Sequence, residues 1–168
     1  GAFCLTEPGA GSDAAAIKTR ALRDGDKYII TVSKIYITNG PISDTFTVLA
    51  VTDPNLGARG GVTAFIVERD TPGLSVGTIE HKLGIHGSAT SEIIFDEVVV
   101  PSANVLGQVG AGFVTFMATL DTGRLGLGAA CAAEANDEPP ALEASLDVPV
   151  LSSYVWRGQV LNDEGVVQ

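Results

Sequence analysis

The stretch FCLTEPGAGSD, from Phe3 to Asp13, places glycines beside a threonine, a serine and two acids. Gly9, Gly11 and Ala14 fit the G-x-G-x-x-A spacing of a dinucleotide-binding turn, which holds a pyrophosphate at a helix N-terminus. That fingerprint needs a strand running into the glycines, and Thr6-Glu7-Pro8 interrupts such a strand. Two other interpretations stay open: a surface turn, or a loop whose free N–H groups and hydroxyls hold a planar polar cofactor.

Composition argues against several kinds of partner and site. Ten Lys and Arg against twenty Asp and Glu give the 168 residues a net charge of −10, which repels nucleic-acid phosphates and anionic membrane surfaces. We therefore expect no nucleic acid partner. No apolar run reaches the length of a membrane span, so we also expect no membrane span. Cys4 and Cys131 suit a reducing compartment. His81 and His86 have no third ligand at metal-site spacing, so we expect no metal.

The elements that must position these residues begin with a β-rich region. From Ile17 to Val100, short β-branched runs alternate with turn signals, which is typical of an antiparallel barrel or sandwich. The clearest pair of runs flanks Asp24-Gly25, a strong hairpin signal. We therefore predict a mainly β fold built on an antiparallel, barrel-like domain over residues 1–109.

A helix is predicted after this domain. Apolar residues recur at three- and four-residue steps from about Gly112 to Glu134, which indicates one helix face that packs on the sheet or on another helix. Pro139 and Pro140 then end the helix. The resulting domain prediction is a helix within 110–135 and, over 136–168, a divergent irregular tail that is a strand, a loose extension or disorder.

Four stretches of the chain, taken in order, carry a family resemblance: FCLTEPGAGSD, YITNG, KLGIHGSATSEIIFDEVVVP and LDTGRLGL. Together they resemble the central part of an acyl-CoA dehydrogenase over about Phe3 to Ala133, with most similarity to the short-chain, butyryl-CoA type. The resemblance implies that 1–109 is the family's middle β-domain, which holds the isoalloxazine of FAD against an acyl-CoA thioester. Residues 110–135 would then begin the C-terminal helical domain.

The same resemblance implies a flavin site built from two segments. Backbone amides and the Thr6 hydroxyl would donate to the flavin ring, and Thr38 would place its hydroxyl near flavin N5. Tyr36 stands where the family usually has a Trp that covers the flavin face. From the residues alone, Thr6 can equally be a turn hydroxyl and Tyr36 a cross-strand aromatic. The cofactor-binding residues implied are Phe3, Cys4, Leu5, Thr6, Gly11, Ser12, Tyr36, Ile37 and Thr38.

The resemblance also implies a substrate site and leaves the catalytic base unassigned. The substrate-binding residues implied are Ser12, Asp121, Thr122, Gly123 and Arg124. An isolated Asp and Arg at this spacing can equally form a helix surface pair, and Glu7 is expected in the loop scaffold. In the isovaleryl and long-chain branches the catalytic Glu stands at the position of Gly123. No catalytic residue is therefore predicted, and the base is expected from a later helical domain.

The activity implied is FAD-dependent α,β-dehydrogenation of an acyl-CoA. An electron-transfer flavoprotein would accept the electrons, the intact protein would be a homo-oligomer, and its compartment would be the bacterial cytoplasm or the mitochondrial matrix. Two alternatives stay open: a related acyl-CoA oxidase or flavin monooxygenase, and a truncated, non-catalytic β-domain. The chain looks cut from a longer protein, so we expect it to be inactive in isolation.

Overall fold

The computed structural model describes residues 1–134 and four short segments, 150–151, 154–156, 159–162 and 166–167. The chain divides into two units, residues 1–126 and 127–168. The strands of the first unit are β1 Ala2–Cys4, β2 Arg20–Asp24, β3 Lys27–Thr38, β4 Thr45–Val51, β5 Val62–Glu68, β6 Leu74–Ile79, β7 Thr90–Pro101 and β8 Val105–Leu106. The α-helices of the described residues are α1 Ala58–Gly61 and α2 Gly112–Glu134.

The eight strands form one sheet in the order β6-β7-β3-β2-β4-β5-β8, with β1 beside β4. The mainly β prediction is confirmed, with two differences from a regular antiparallel barrel. First, β1 runs parallel to β4, and β2 meets β4 through a single parallel pair, Arg20 with Val51. Second, in the described part of the chain the end strands β6 and β8 do not pair with each other. The sheet is therefore open, with its long strands paired antiparallel.

The predicted hairpin joins β2 to β3. Asp24 pairs with Lys27, and Gly25 takes a φ of +63° in the connection. A residue with a Cβ is strained at positive φ, whereas glycine is not. This is why Asp-Gly in the sequence predicts a hairpin turn. This local turn sets the register of β3, the strand that carries the Tyr36 segment.

The sheet packs its two faces into two apolar clusters. One lies among β3, β4, β5 and β7 and includes Phe46, Phe65 and Phe95. The other contains Leu49 of β4 and Phe116 of α2, with Phe3, Phe113 and Met117 packed against its edge. The second cluster fixes the start of α2 on the sheet.

Helix α2 has the predicted bounds, Gly112–Glu134. Its first residue lies so near β5 that a Cβ on Gly112 would come within 2.6 Å of the carbonyl carbon of Thr63. The expected apolar face is correct only in part, because residues 121–129 are exposed, including Leu125 and Leu127. The helix therefore packs through its first turns alone within the described residues.

The second unit contributes four short strands, paired two by two and antiparallel. They are β9 Val150–Leu151, β10 Tyr154–Trp156, β11 Gln159–Asn162 and β12 Val166–Val167, with β9 beside β12 and β10 beside β11. The helix stop at Pro139 and Pro140 lies outside the described residues. Among the described helices, none combines the length and the apolar character that crossing a membrane requires.

Candidate functional site

A cavity of about 470 Å³ opens beside β1 and the end of β3. We call it the Thr6–Tyr36 cavity. Six of the nine predicted cofactor-binding residues line it: Phe3, Leu5, Thr6, Tyr36, Ile37 and Thr38. The remaining lining residues are Gly1, Asn39 and Leu120. Its volume is in the range of small-molecule and cofactor sites, and its lining combines aromatic, aliphatic and hydroxyl groups.

Tyr36 enters this cavity because β3 carries a bulge. Lys34 pairs with Ile93 of β7, but Ile37 pairs with Ser91, so β3 has one residue more than β7 across this interval. Tyr36 occupies the bulge with a φ of +57° and leaves 62% of its surface exposed. A bulky residue at positive φ is unusual and is found where surrounding contacts impose it, often at functional sites. The bulge thus presents an aromatic ring in the cavity instead of on the sheet.

Two threonines add polar groups to the same wall. Thr6 follows β1, and its carbonyl accepts a hydrogen bond of 3.0 Å from the Ile35 N–H of β3. Thr38 ends β3, where it pairs with Thr90 of β7. The cavity therefore joins an aromatic surface to hydroxyl groups that can donate to a planar heterocycle.

Three of the predicted cofactor-binding residues lie away from this lining. The Cys4 side chain is fully buried in the first apolar cluster, and burial raises its thiol pKa to about 12 despite the opposing effect of Lys34. Gly11 and Ser12 are exposed in the turn beyond Glu7. A three-residue 3-10 turn, Ala14–Ala16, follows them. The dinucleotide-binding interpretation is therefore wrong, because it requires an α-helix at that position.

The predicted substrate-binding residues of α2 follow directly in sequence on a residue that lines the cavity. Leu120 lines the cavity, and the exposed residues Asp121, Thr122, Gly123 and Arg124 follow it. Arg124 Nη1 lies 3.6 Å from Asp121 Oδ1, while both side chains remain about three-quarters exposed. Thr122 donates its hydroxyl to the carbonyl of Ala118 at 2.9 Å. These four consecutive residues make up one exposed turn of the helix.

Sequence reasoning did not identify Lys34, which is completely buried. Its Nζ donates to Glu7 Oε1 at 2.8 Å and to the Leu5 carbonyl at 3.1 Å. A signal was present in the sequence: Tyr28, Ile30, Val32 and Lys34 share a period of two, so Lys34 falls on the inward face of β3. The alternation predicts burial, but it does not identify the partner of the buried charge.

Glu7 is held by several donors besides Lys34. Its Oε2 accepts from the Lys18 N–H at 2.8 Å, and its Oε1 accepts from the N–H of Thr19 at 3.1 Å and from the Thr19 hydroxyl. Burial by itself raises the pKa of Glu7, but the hydrogen bonds from Lys34, Thr19 and Lys18 outweigh it and lower the pKa. Glu7 is consequently an ionised structural anchor within the loop, as the sequence analysis expects.

The residues lining the Thr6–Tyr36 cavity include no carboxylate and no histidine. His81 and His86 instead line a separate cavity of about 340 Å³. A third cavity, of about 350 Å³, adjoins the 3-10 turn and contains Lys18, Arg20 and Asp53. Within the described residues, no three His, Cys, Asp or Glu side chains are grouped in a way that would hold a metal ion.

The two segments that meet at the Thr6–Tyr36 cavity lie inside one family match. The family model described as "Acyl-CoA dehydrogenase, middle domain" matches residues 2–98. The chain belongs to the acyl-CoA dehydrogenase family. Members of this family are flavoproteins.

Relatives and solved structures agree with this membership. An acyl-CoA dehydrogenase of Bacillus subtilis is 51% identical over 129 residues, which cover 77% of this chain and 34% of the relative. A short-chain specific acyl-CoA dehydrogenase of Clostridium acetobutylicum is 48% identical, with the same coverages. The butyryl-CoA dehydrogenase structure from Megasphaera elsdenii is 49% identical with a TM-score of 0.71, covering 74% of this chain and 33% of that one. The chain thus spans about a third of the length of these three proteins.

Proposed function

We propose that this chain supplies the flavin-facing wall and part of the acyl-CoA site of an FAD-dependent acyl-CoA dehydrogenase. One observation carries the proposal: two segments far apart in sequence, one containing Thr6 and the other containing Tyr36 and Thr38, line a single cavity. Membership of the family supports the same interpretation, since the matched residues include both segments. The reaction proposed is removal of hydrogen from the α and β carbons of an acyl-CoA thioester.

The chain's own residues would bind and orient the cofactor. Tyr36 offers an exposed aromatic face on which a planar ring can stack. The hydroxyls of Thr6 and Thr38 line the same cavity and can donate to polar atoms of that ring, favouring its electron-rich form. When bound, FAD supplies the electron acceptor that no side chain of this wall provides. The fit of the flavin to the Thr6–Tyr36 cavity therefore rests on the aromatic surface of Tyr36 and on the threonine hydroxyls that can donate hydrogen bonds.

The thioester would extend from this wall towards Ser12 and the exposed turn of α2 at residues 121–124. The guanidinium of Arg124 is exposed, and its planar set of donors suits phosphate or carbonyl oxygens of a CoA group. Gly123 has no atom within 4 Å of the place where a Cβ would stand, so this position carries no acid and leaves open space. We therefore infer that the chain is of the short-chain, butyryl-CoA type, whose base comes from a later helical domain.

The base that takes the α-proton would lie outside the described residues, because the cavity lining holds no carboxylate. Absence of a positioned base typically costs about 10² to 10⁴ in rate. The isolated chain should therefore show no appreciable turnover. In the intact protein we propose a homo-oligomer that passes electrons to an electron-transfer flavoprotein, in the bacterial cytoplasm or the mitochondrial matrix.

Titration of the chain with FAD tests this proposal. We expect quenching of flavin fluorescence, and weaker binding in Thr38→Val. The matched control is Thr45→Val, an exposed threonine at the start of β4 that does not line the cavity. Equal affinity of Thr38→Val and the wild type, or no quenching at all, would count against the flavin site.

A second measurement distinguishes a dehydrogenase from an oxidase or monooxygenase and from a non-catalytic domain. The chain with excess FAD is mixed with butyryl-CoA and an artificial electron acceptor, and flavin bleaching is followed. Turnover at the rate of an intact dehydrogenase would show that a base lies within this chain. Fast reoxidation of reduced flavin by oxygen would favour the oxidase or monooxygenase alternative.

A further inference from the structure

The buried pair of Lys34 and Glu7 holds the residues on either side of Thr6. Lys34 Nζ donates to the carbonyl of Leu5, which precedes Thr6, and to the carboxylate of Glu7, which follows it. The next residue of β3, Ile35, donates its N–H to the carbonyl of Thr6 itself at 3.0 Å. Three consecutive loop residues are thus attached to two consecutive residues of β3.

The attachment point on β3 lies directly before the bulge. Tyr36 follows Ile35, and its positive φ turns the ring into the Thr6–Tyr36 cavity. The two walls of the cavity, the loop at Thr6 and the bulge at Tyr36, therefore meet at Lys34. Neither Lys34 nor Glu7 lines the cavity.

Other contacts fix the far side of Glu7. Its carboxylate accepts the N–H groups of Lys18 and Thr19, which lead into β2. The ammonium of Lys34 is withdrawn from solvent, and Glu7 is only 6% exposed. A buried charge is costly unless a partner neutralises it, so the pair tolerates few arrangements of the loop. Such pairs contribute little net stability, and in some proteins they fix a single geometry.

We propose that Lys34 and Glu7 are positioning residues for the cofactor cavity, holding the Thr6 loop and the Tyr36 bulge at one separation without touching the ligand. The part of this proposal that concerns FAD affinity rests on the proposed flavin-binding function. Its structural half, the attachment of the loop to β3, is independent of any ligand. Both halves can be measured on the full chain.

The decisive variant is the double substitution Glu7→Gln with Lys34→Met. It removes both charges together, so no unpaired charge is left in the interior. The single Gln oxygen can keep the hydrogen bonds from Thr19, while the amide nitrogen takes the place of Oε2 and the bond from the Lys18 N–H is lost. The ammonium donor to Leu5 is lost. The matched control is Lys27→Met, which removes an exposed lysine of the same strand paired with Asp24 at 3.3 Å.

Amide hydrogen exchange provides the readout that needs no ligand. In the double variant we expect the Ile35 N–H to exchange about tenfold faster, because loss of the attachment lowers the free energy of local opening between the loop and β3. Hydrogen-bonded amides of β4 and β5 should keep wild-type rates. A purely structural role would instead raise exchange throughout the sheet, and that result would overturn the proposal.

FAD affinity provides the second readout. We expect the double variant to bind FAD about 10- to 100-fold more weakly than the wild type, by analogy with metal sites that lose the contacts supporting their ligands. Lys27→Met should match the wild type in both measurements. Unchanged Ile35 exchange and unchanged affinity in a folded double variant would overturn the proposal. If the wild-type chain binds no FAD, the flavin function fails, and the exchange rates alone decide on the attachment.

Discussion

The ring of Phe3 on β1 stacks on the ring of Phe116 on α2, with centroids 4.0 Å apart and planes inclined by 28°. This contact joins the strand that leads into the Thr6 loop to the helix that brings Leu120 to the same cavity. Because β1 lies parallel to β4, Phe3 falls within the apolar cluster under α2. The stacked pair thus ties together the helix and the wall of the candidate site.

Removing the Phe116 ring should destabilise the fold and loosen the site. Phe116 is 2% exposed, and replacing a buried Phe by Ala costs about 3 to 5 kcal/mol. We expect Phe116→Ala to lower the free energy of unfolding by that order in urea denaturation, and to weaken FAD binding as Leu120 shifts. Val114→Ala, at a position 52% exposed on the same helix, is the control and should change the free energy little. Equal effects of the two substitutions would contradict the packing role of the stack.

Breaking the buried ion pair from one side should cost more than removing it whole. Lys34→Met alone leaves the Glu7 carboxylate buried without its cation, which is typically destabilising by about 3 to 5 kcal/mol. The double variant with Glu7→Gln should recover most of that loss, because no uncompensated charge remains. Urea denaturation of both variants beside the wild type measures the difference. A double variant as unstable as the single one would show that the charge itself is not the cause.

Stability should fall on the acid side because of Glu7. Its folded-state pKa lies below the ordinary 4.5, since hydrogen bonds from Lys34, Thr19 and Lys18 outweigh the effect of burial. A lowered carboxyl pKa contributes stability above about pH 4.5 and loses it as the pH falls through the folded-state value. We expect the wild-type free energy of unfolding to decline over that window, and to decline less steeply in the double variant Glu7→Gln with Lys34→Met, which carries neither charge of the pair. Identical pH profiles would show that Glu7 titrates alike in the folded and unfolded chains.

The Cys4 thiol should resist alkylation in the folded protein. Burial raises its pKa from 9.0 to about 12, so the reactive thiolate is scarce, and the side chain is closed to solvent. We expect a Cys131→Ser background, which leaves Cys4 as the single thiol, to react with iodoacetamide only on addition of denaturant. Mass spectrometry of the intact chain follows the modification. Labelling at the rate of a free thiol without denaturant would place Cys4 at the surface.

Two glycines of α2 should respond to alanine in opposite directions. At Gly112 a Cβ would stand 2.6 Å from the Thr63 carbonyl carbon, so Gly112→Ala forces the helix away from β5 and destabilises the chain. At Gly123 the same Cβ meets nothing within 4 Å, and alanine is favoured over glycine in a helix by up to about 1 kcal/mol. Gly123→Ala should therefore raise the melting temperature while Gly112→Ala lowers it. Equal shifts would show that α2 does not approach β5 as closely as described.

The sequence by itself determined the features that depend on near neighbours. Asp24-Gly25 predicts the β2–β3 hairpin because glycine takes the positive φ without strain, and the apolar steps from Gly112 predict α2 with its observed bounds. The family motifs predict both segments of the cavity, and six of their residues line it. The period of two along β3 also marks Lys34 as inward-facing.

Only the tertiary structure decided which distant residues meet. The parallel pairing of β1 with β4, the stack of Phe3 on Phe116 and the pairing of Lys34 with Glu7 join residues far apart in the chain. Periodicity tells which face of an element is buried. It does not tell which element covers that face, because the same pattern results whichever element does so. The partner is chosen by the register of the strands, by the space left in the interior and by the cost of an unpaired buried charge, and these exist only once the chain has folded.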